Sequence, residues 1–309
     1  TWSYVANKAN WVENQDYWIE RAKNLEDKLS DRLHEELTKT FIDKRASVLA
    51  RGLKQDITLS TEIIEDEKVM INNQYIGNLK GLKLHLDLKV DALDADIKSL
   101  KKAARQNVSP EIIKRIKQII DTGLIELKKD FKIYWKNNQI AKLLPGEDYL
   151  NPKIHLLIDD MIENDERSKL DLFIQGWIQK KINTELKSLV DLKNTQEKNS
   201  DLRALAYHLY ENNGVVKRED VLSYLKKLDQ NERKKLRNLG VRFGRYHIFL
   251  FKLFKPSTVS LRTLLWKNYN EKNEQLEPPT FGLNFLVQDK PSNREFMLLC
   301  GFEKFDRFY

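Results

Sequence analysis

Apolar residues recur at steps of three and four near the start of the chain: Trp18, Ala22, Leu25, Leu29, Leu33, Leu37 and Phe41, then Val48 and Leu49. That spacing lays one stripe along one face and predicts a long helix. Asp16 reads as its N-cap, with Tyr17 and Trp18 in the first turn and Gly52 near its end. Unbroken to Leu53, it would extend roughly 55 Å at about 1.5 Å per residue. Such a stripe needs a surface to lie on.

The pattern changes at Asp56, and two stretches then resemble each other. Val69-Met70-Ile71-Asn72-Asn73-Gln74-Tyr75-Ile76-Gly77-Asn78-Leu79 and Ile133-Tyr134-Trp135-Lys136-Asn137-Asn138-Gln139-Ile140-Ala141-Lys142-Leu143 each run from a β-favouring segment through Asn-Asn into a second apolar segment. Asn tolerates positive φ, so each Asn-Asn suits a hairpin turn. A further extended segment follows each hairpin, at Leu82–Leu88 and Lys153–Ile158, the latter after Pro145-Gly146. Helical sequence comes after that. The reading is an internal duplication 64–65 residues apart, with chance similarity of two short hairpins as its alternative.

Between the hairpins, Ser109-Pro110-Glu111 reads as the capped start of a helix that ends before Gly123. Leu170, Phe173, Ile174, Trp177, Ile178, Ile182, Leu186 and Leu189 outline a strong amphipathic helix, and Lys193–Ser200 reads as a linker. Further helices are predicted at Leu202–Tyr210 (stopped by Asn213-Gly214), Glu219–Leu228, Gln230–Leu239 (ended by Gly240 as C′ residue) and Val259–Tyr269. The expected fold is α+β, mainly α. A helical arm over 1–55 precedes a duplicated hairpin-and-helix domain over 56–195 and a basic helical domain over 196–309.

Composition narrows the function. With 309 residues, 41% apolar and 32% charged, the chain can build two or three cored domains, which excludes global disorder. It begins Thr1-Trp2-Ser3 without an initiator Met, as a fragment or a processed chain would. Cys300 is the one cysteine, so no internal disulfide and no cysteine-based zinc site can form; a reducing, cytoplasmic setting is expected. No apolar run approaches the ~18 residues of a membrane helix, so no membrane partner is expected.

Familiar catalytic signatures are missing. No glycine precedes a lysine, which excludes a phosphate-cradling loop, and no Gly-x-Gly-x-x-Gly turn occurs. His34, His85, His155, His208 and His247 have no metal-ligand spacing, and no cofactor is expected. Asp159-Asp160 and Asp165-Glu166 are the nearest approach to an acidic cluster, but adjacent helical residues diverge by about 100° and do not converge on a metal. The chain is therefore not expected to be an enzyme by itself.

The net charge of +8 is concentrated: Lys226–Arg262 carries eleven Lys and Arg against only Asp229 and Glu232. Within it, Val241–Lys255 interleaves Arg242, Arg245, Lys252 and Lys255 with Phe243, Tyr246, Phe249, Phe251 and Phe254. Cations meet phosphates and rings stack on exposed bases, a pairing that suits single-stranded RNA or DNA. The bland alternative is a half-buried strand, since Phe249, Phe251 and Leu253 alternate with period two, and at least three of the five rings are expected to be buried. Arg242, Arg245, Tyr246, His247, Lys252 and Lys255 are the candidate nucleic-acid-binding residues, with Tyr246 and His247 placed to stack or hydrogen-bond.

Two segments also carry a resemblance. Leu33-His34-Glu35-Glu36-Leu37-Thr38-Lys39-Thr40-Phe41-Ile42-Asp43-Lys44-Arg45-Ala46-Ser47-Val48-Leu49 resembles a segment just past the motor domains of a bacterial helicase family. That family is similar to the mitochondrial RNA helicase that works with an RNA-degrading exonuclease, in the DExH branch of superfamily 2. Gly240–Ile248 through Lys255-Pro256, with Leu264-Leu265-Trp266, resembles a later signature of the same proteins, and Thr1–Asn7 also fits. The resemblance implies a C-terminal accessory region. The upstream motor domains would be its partner and would carry ATP hydrolysis. The expectation is a non-catalytic, nucleic-acid-binding accessory region of an ATP-dependent helicase, with RNA the favoured polymer. The alternative is a protein-interaction module that docks the motor, a nuclease or a ribosome, and a third reading is a structural brace on the motor.

Overall fold

The computed structural model describes residues 14–54, 61–64, 67–71, 74–87, 94–195, 200–270, 276–283, 285–286 and 293–304. Thr1–Asn7, the Asn72-Asn73 turn, Leu88 and positions 196–199 of the expected linker lie outside them, as do the side chains of Phe41, Val48 and Leu49. The fold is mixed α+β with helix predominating. The described residues form two four-stranded sheets and one of three strands, every strand pair in them antiparallel.

The first helix, α1, covers Gln15–Lys54, so Asp16 falls inside the first turn and Gly52 inside the helix. Its leucines at 25, 29, 33 and 37 are exposed. The first sheet follows in simple meander order: β1 (Thr61–Ile64), β2 (Lys68–Ile71), β3 (Gln74–Lys80) and β4 (Lys83–Leu86). After α2 (Asp94–Thr122), a second meander repeats it: β5 (Glu126–Leu127), β6 (Lys132–Trp135), β7 (Asn138–Leu144) and β8 (Lys153–Leu156).

The duplication extends to individual bonds. Ile71 pairs with Gln74 as Trp135 pairs with Asn138, and the register shifts between Val69 and Met70 as it does between Ile133 and Tyr134. Leu79 N donates to Glu67 O as Leu143 N donates to Phe131 O, both at 2.7 Å. Buried positions correspond too: Val69, Ile71, Ile76 and Leu79 match Ile133, Trp135, Ile140 and Leu143. In the second hairpin the turn residues are Lys136 and Asn137, both with positive φ, one place earlier than the Asn-Asn reading put them. The fourth strands match as Lys-Leu-His-Leu and Lys-Ile-His-Leu, displaced by the longer Pro145-Gly146 connection.

One expectation is corrected. Ser109 does not cap a helix and Pro110 does not open one; both sit inside α2. The buried row Ala104, Val108, Ile112, Ile116 and Ile119 continues across them, and its burial outweighs the ~3 kcal/mol an interior proline costs. Ser109 Oγ donates back to the Arg105 carbonyl at 3.0 Å. Gly123, at φ +63°, follows the helix end as expected.

Contacts group the chain into two compact units: the described residues of Thr1–Gln118 with Ile158–Glu163, and those of Ile119–Leu157 with Asn164–Tyr309. In the first unit, Ile158 bridges Leu82 and buried Asp159 faces Arg105 at 3.6 Å. In the second unit, the second meander joins the C-terminal helices. There Tyr149 stacks on Tyr210 at 5.4 Å and its hydroxyl donates to the Tyr210 carbonyl. Helices α3 (Asn164–Glu185) and α4 (Lys187–Lys193) bury Leu170, Ile174, Ile178, Ile182, Leu189 and Leu192 beneath them.

Candidate nucleic-acid interface

The C-terminal part of the second unit starts with α5 (Ser200–Glu211), which buries Leu202, Leu205, Ala206 and Leu209. Asn213 and Gly214 both take positive φ and turn the chain into β9 (Val215–Lys217). Next come α6 (Leu222–Lys227), the turn Leu228-Asp229 and α7 (Gln230–Asn238). Then β10 (Val241–Phe243) and β11 (His247–Leu250) form a hairpin, and the sheet order is β10-β11-β9. Two short helices joined through Leu228-Asp229 and followed by a β-hairpin have the element order of a helix-turn-helix with a wing.

Local chemistry explains each joint. Asp229 caps α7: its carboxylate accepts from Glu232 N at 2.6 Å, while Asp229 N donates to Glu232 Oε2 at 2.9 Å. Gly240, at φ +97°, terminates α7. Gly244 N donates to His247 O at 2.9 Å, leaving Arg245 and Tyr246 as the two-residue tip. A Cβ at Gly244 would lie 2.6 Å from that His247 oxygen, so the turn requires glycine. Arg218 braces the tip from β9's side, its backbone N donating to Tyr246 O and its Nη1 to Gly244 O, both at 2.8 Å.

The six candidate residues divide into four groups. Arg245 and Tyr246 stand together at the tip, the guanidinium 5.4 Å from the ring centroid, and Tyr246 is 69% exposed. Arg242 is opposite Phe249 on the outer face of the hairpin. Lys252 and Lys255 are at the other end of the strands from the tip, in and just after a 3-10 turn at Phe251–Phe254. His247 turns elsewhere: its Nε2 faces Glu303 at 2.9 Å, and Glu303 also accepts from Arg294 at 2.8 Å. Burial works against the Glu303 carboxylate, yet the Arg294 hydrogen bond and the neighbouring positive charges hold its pKa below the ordinary value. His247 is thus half-buried against a carboxylate and is not displayed beside Tyr246.

The extended reading of Val241–Lys255 is corrected accordingly. Its strand breaks at the tip and stops at Leu250, because the buried Leu253 packs against Gly214 from the 3-10 turn. Of the five rings, Phe243, Phe249 and Phe254 are half-buried, with Phe249 and Phe254 in edge contact at 5.7 Å, while Tyr246 and Phe251 stay exposed. Arg242, Arg245, Lys252 and Lys255 are all exposed, and no carboxylate among the described residues pairs with them.

The structure also adds cations that the candidate set omitted. Arg233, Lys234, Lys235 and Arg237 line α7, whose one buried residue is Leu236, and the Arg237 guanidinium lies 5.7 Å from the Phe243 ring. The Arg-Lys-Lys-Leu-Arg run was the available signal, visible as charge but not as a surface. Among the described residues, no three His, Cys, Asp or Glu side chains are grouped to hold a metal. No described helix is long and apolar enough to cross a membrane.

No protein-family profile matches the chain, and neither the curated proteins nor the solved structures contain a match to it.

Proposed function

We propose that the chain is a non-catalytic accessory region of an ATP-dependent helicase, and that its C-terminal helix-turn-helix and hairpin grip a nucleic-acid strand. The observation that carries this reading is the set of exposed cations at Arg242, Arg245, Lys252 and Lys255, unneutralised by any described carboxylate, with the open ring of Tyr246 beside Arg245 at the tip. Phosphates would meet the guanidinium and ammonium groups, and a base would stack on Tyr246. The link to a helicase rests on the two resembling segments, which also favour RNA.

The test is a salt titration of the whole chain against labelled single strands of RNA and DNA. Micromolar or tighter binding that weakens steeply with salt is expected. Changing Arg242, Arg245, Lys252 and Lys255 together to Glu should abolish it. Unchanged binding by a folded variant would refute the assignment.

A second reading, docking of the motor or of a nuclease or ribosome partner, is favoured by α1. Leu25, Leu29, Leu33 and Leu37 are all exposed on it, which is unusual for so many leucines on one helix. Salt-insensitive capture of such a partner, unaffected by added RNA, would support it.

A further inference from the structure

We infer that α7 is a groove-reading helix, so the same module also takes double-stranded DNA, with the hairpin tip on the adjoining backbone or strand. This rests on the nucleic-acid reading above but chooses a conformation and a polymer that the resemblance does not. With Leu236 turned inward and successive residues about 100° apart, Asn231, Lys234 and Asn238 point away from the module, flanked by Gln230 and Arg237 on one side and Lys235 on the other. All six are exposed. The face carries no carboxylate and no large apolar side chain; the helix's one acid, Glu232, is held in the capping box on the inner side.

Those residue types match base edges. Asn and Gln amides pair with adenine, and Arg and Lys pair with guanine, where a major groove about 12 Å wide admits a helix roughly 10–12 Å across. A protein-docking face of the same size would need apolar anchors at its centre, and this one has none. The major groove of an RNA duplex is deep and narrow, so side chains on a helix cannot read it. B-form DNA is therefore the duplex that α7 fits. The hairpin continues the surface, since Arg237 lies over Phe243 and the two strands lead directly to Arg245 and Tyr246.

The experiment compares the full chain with two double variants, Lys234→Ala/Arg237→Ala on α7 and Arg245→Ala/Tyr246→Ala at the tip. Probes are a labelled 20-base-pair DNA duplex, the matching RNA duplex and both single strands, over a range of salt. Circular dichroism establishes folding, which all four exposed side chains should tolerate. The α7 variant should bind duplex DNA at least about tenfold more weakly, the loss expected when base-edge contacts are removed. Its single-strand binding should fall by a smaller factor than its duplex binding, and the parent should prefer duplex DNA to duplex RNA. Equal losses on all probes, no loss on duplex DNA, or equal binding of both duplexes would overturn the inference while leaving the single-strand reading intact. A parent chain that binds none of the four probes would overturn both.

Discussion

Replacing Arg262 by Met should destabilise the C-terminal unit by about 3 kcal/mol, and Lys should rescue nothing. Arg262, on α8 (Pro256–Tyr269), is fully buried, and no described carboxylate pairs with it. Its Nη1 donates to the Asn213 carbonyl at 3.0 Å and its Nη2 to the Leu299 carbonyl, at the end of α9 (Arg294–Leu299). The Phe254 ring lies 5.2 Å away. Burial lowers the guanidinium pKa to about 10, a measure of the desolvation it bears. Each charge-assisted hydrogen bond contributes about 1.5–3 kcal/mol, and an unpaired buried carbonyl costs about 1–3 kcal/mol. Relief from burying a charge, worth several kcal/mol, offsets part of that loss. Methionine has a similar volume, so no large cavity adds to the sum. Lysine keeps the buried charge but lacks the fork that reaches both carbonyls, so it should be at least as damaging. Urea unfolding, followed by circular dichroism, gives the free-energy change from the midpoint shift. A second readout is the thiol of Cys300, half-buried next to Leu299 and raised by burial to a pKa of about 11. It should react faster with thiol reagents once α9 loosens. A Met variant within about 0.5 kcal/mol of the parent, or a Lys variant restored to parental stability, would refute the reasoning.

Pro110→Ala should raise stability by about 1–3 kcal/mol, because the exposed ring sits in a helix interior where alanine restores a backbone donor; calorimetry showing no gain would mean the local helix is strained for another reason. Gly244→Ala should cost about 1–3 kcal/mol and weaken nucleic-acid binding with it, since its Cβ would collide with the His247 carbonyl and displace the tip. Glu303→Gln tests a pH dependence. The folded carboxylate has a pKa below its ordinary 4.5, so its stabilising effect is complete above about 4.5 and fades as pH falls through the lower folded value. Parent and variant melting temperatures should therefore differ at neutral pH and converge in acid, whereas a pH-independent gap would argue against the ion pair.

How much of this was legible in advance depended on how local the cause was. Period-two burial, turn-compatible asparagines and matching apolar positions made the duplication readable, because strand pairing across a tight turn is governed by neighbours in sequence. Asn213-Gly214 and Gly240 marked their breaks for the same reason, since positive φ is a property of a few residues. The interruption of Val241–Lys255 was not readable that way. Phe249, Phe251 and Leu253 alternate as a strand would, and only Leu253 packing beside Gly214 decides that the chain coils after Leu250. His247 was drawn out of the expected surface by Glu303, a partner that the linear order places far away. The cations of α7 were countable in the sequence, but charge has no direction until folding buries Leu236 and turns Lys234 and Asn238 outward. Local backbone preference was thus written in the chain, while exposure and pairing, which depend on what packs against each group, were settled only by the tertiary structure.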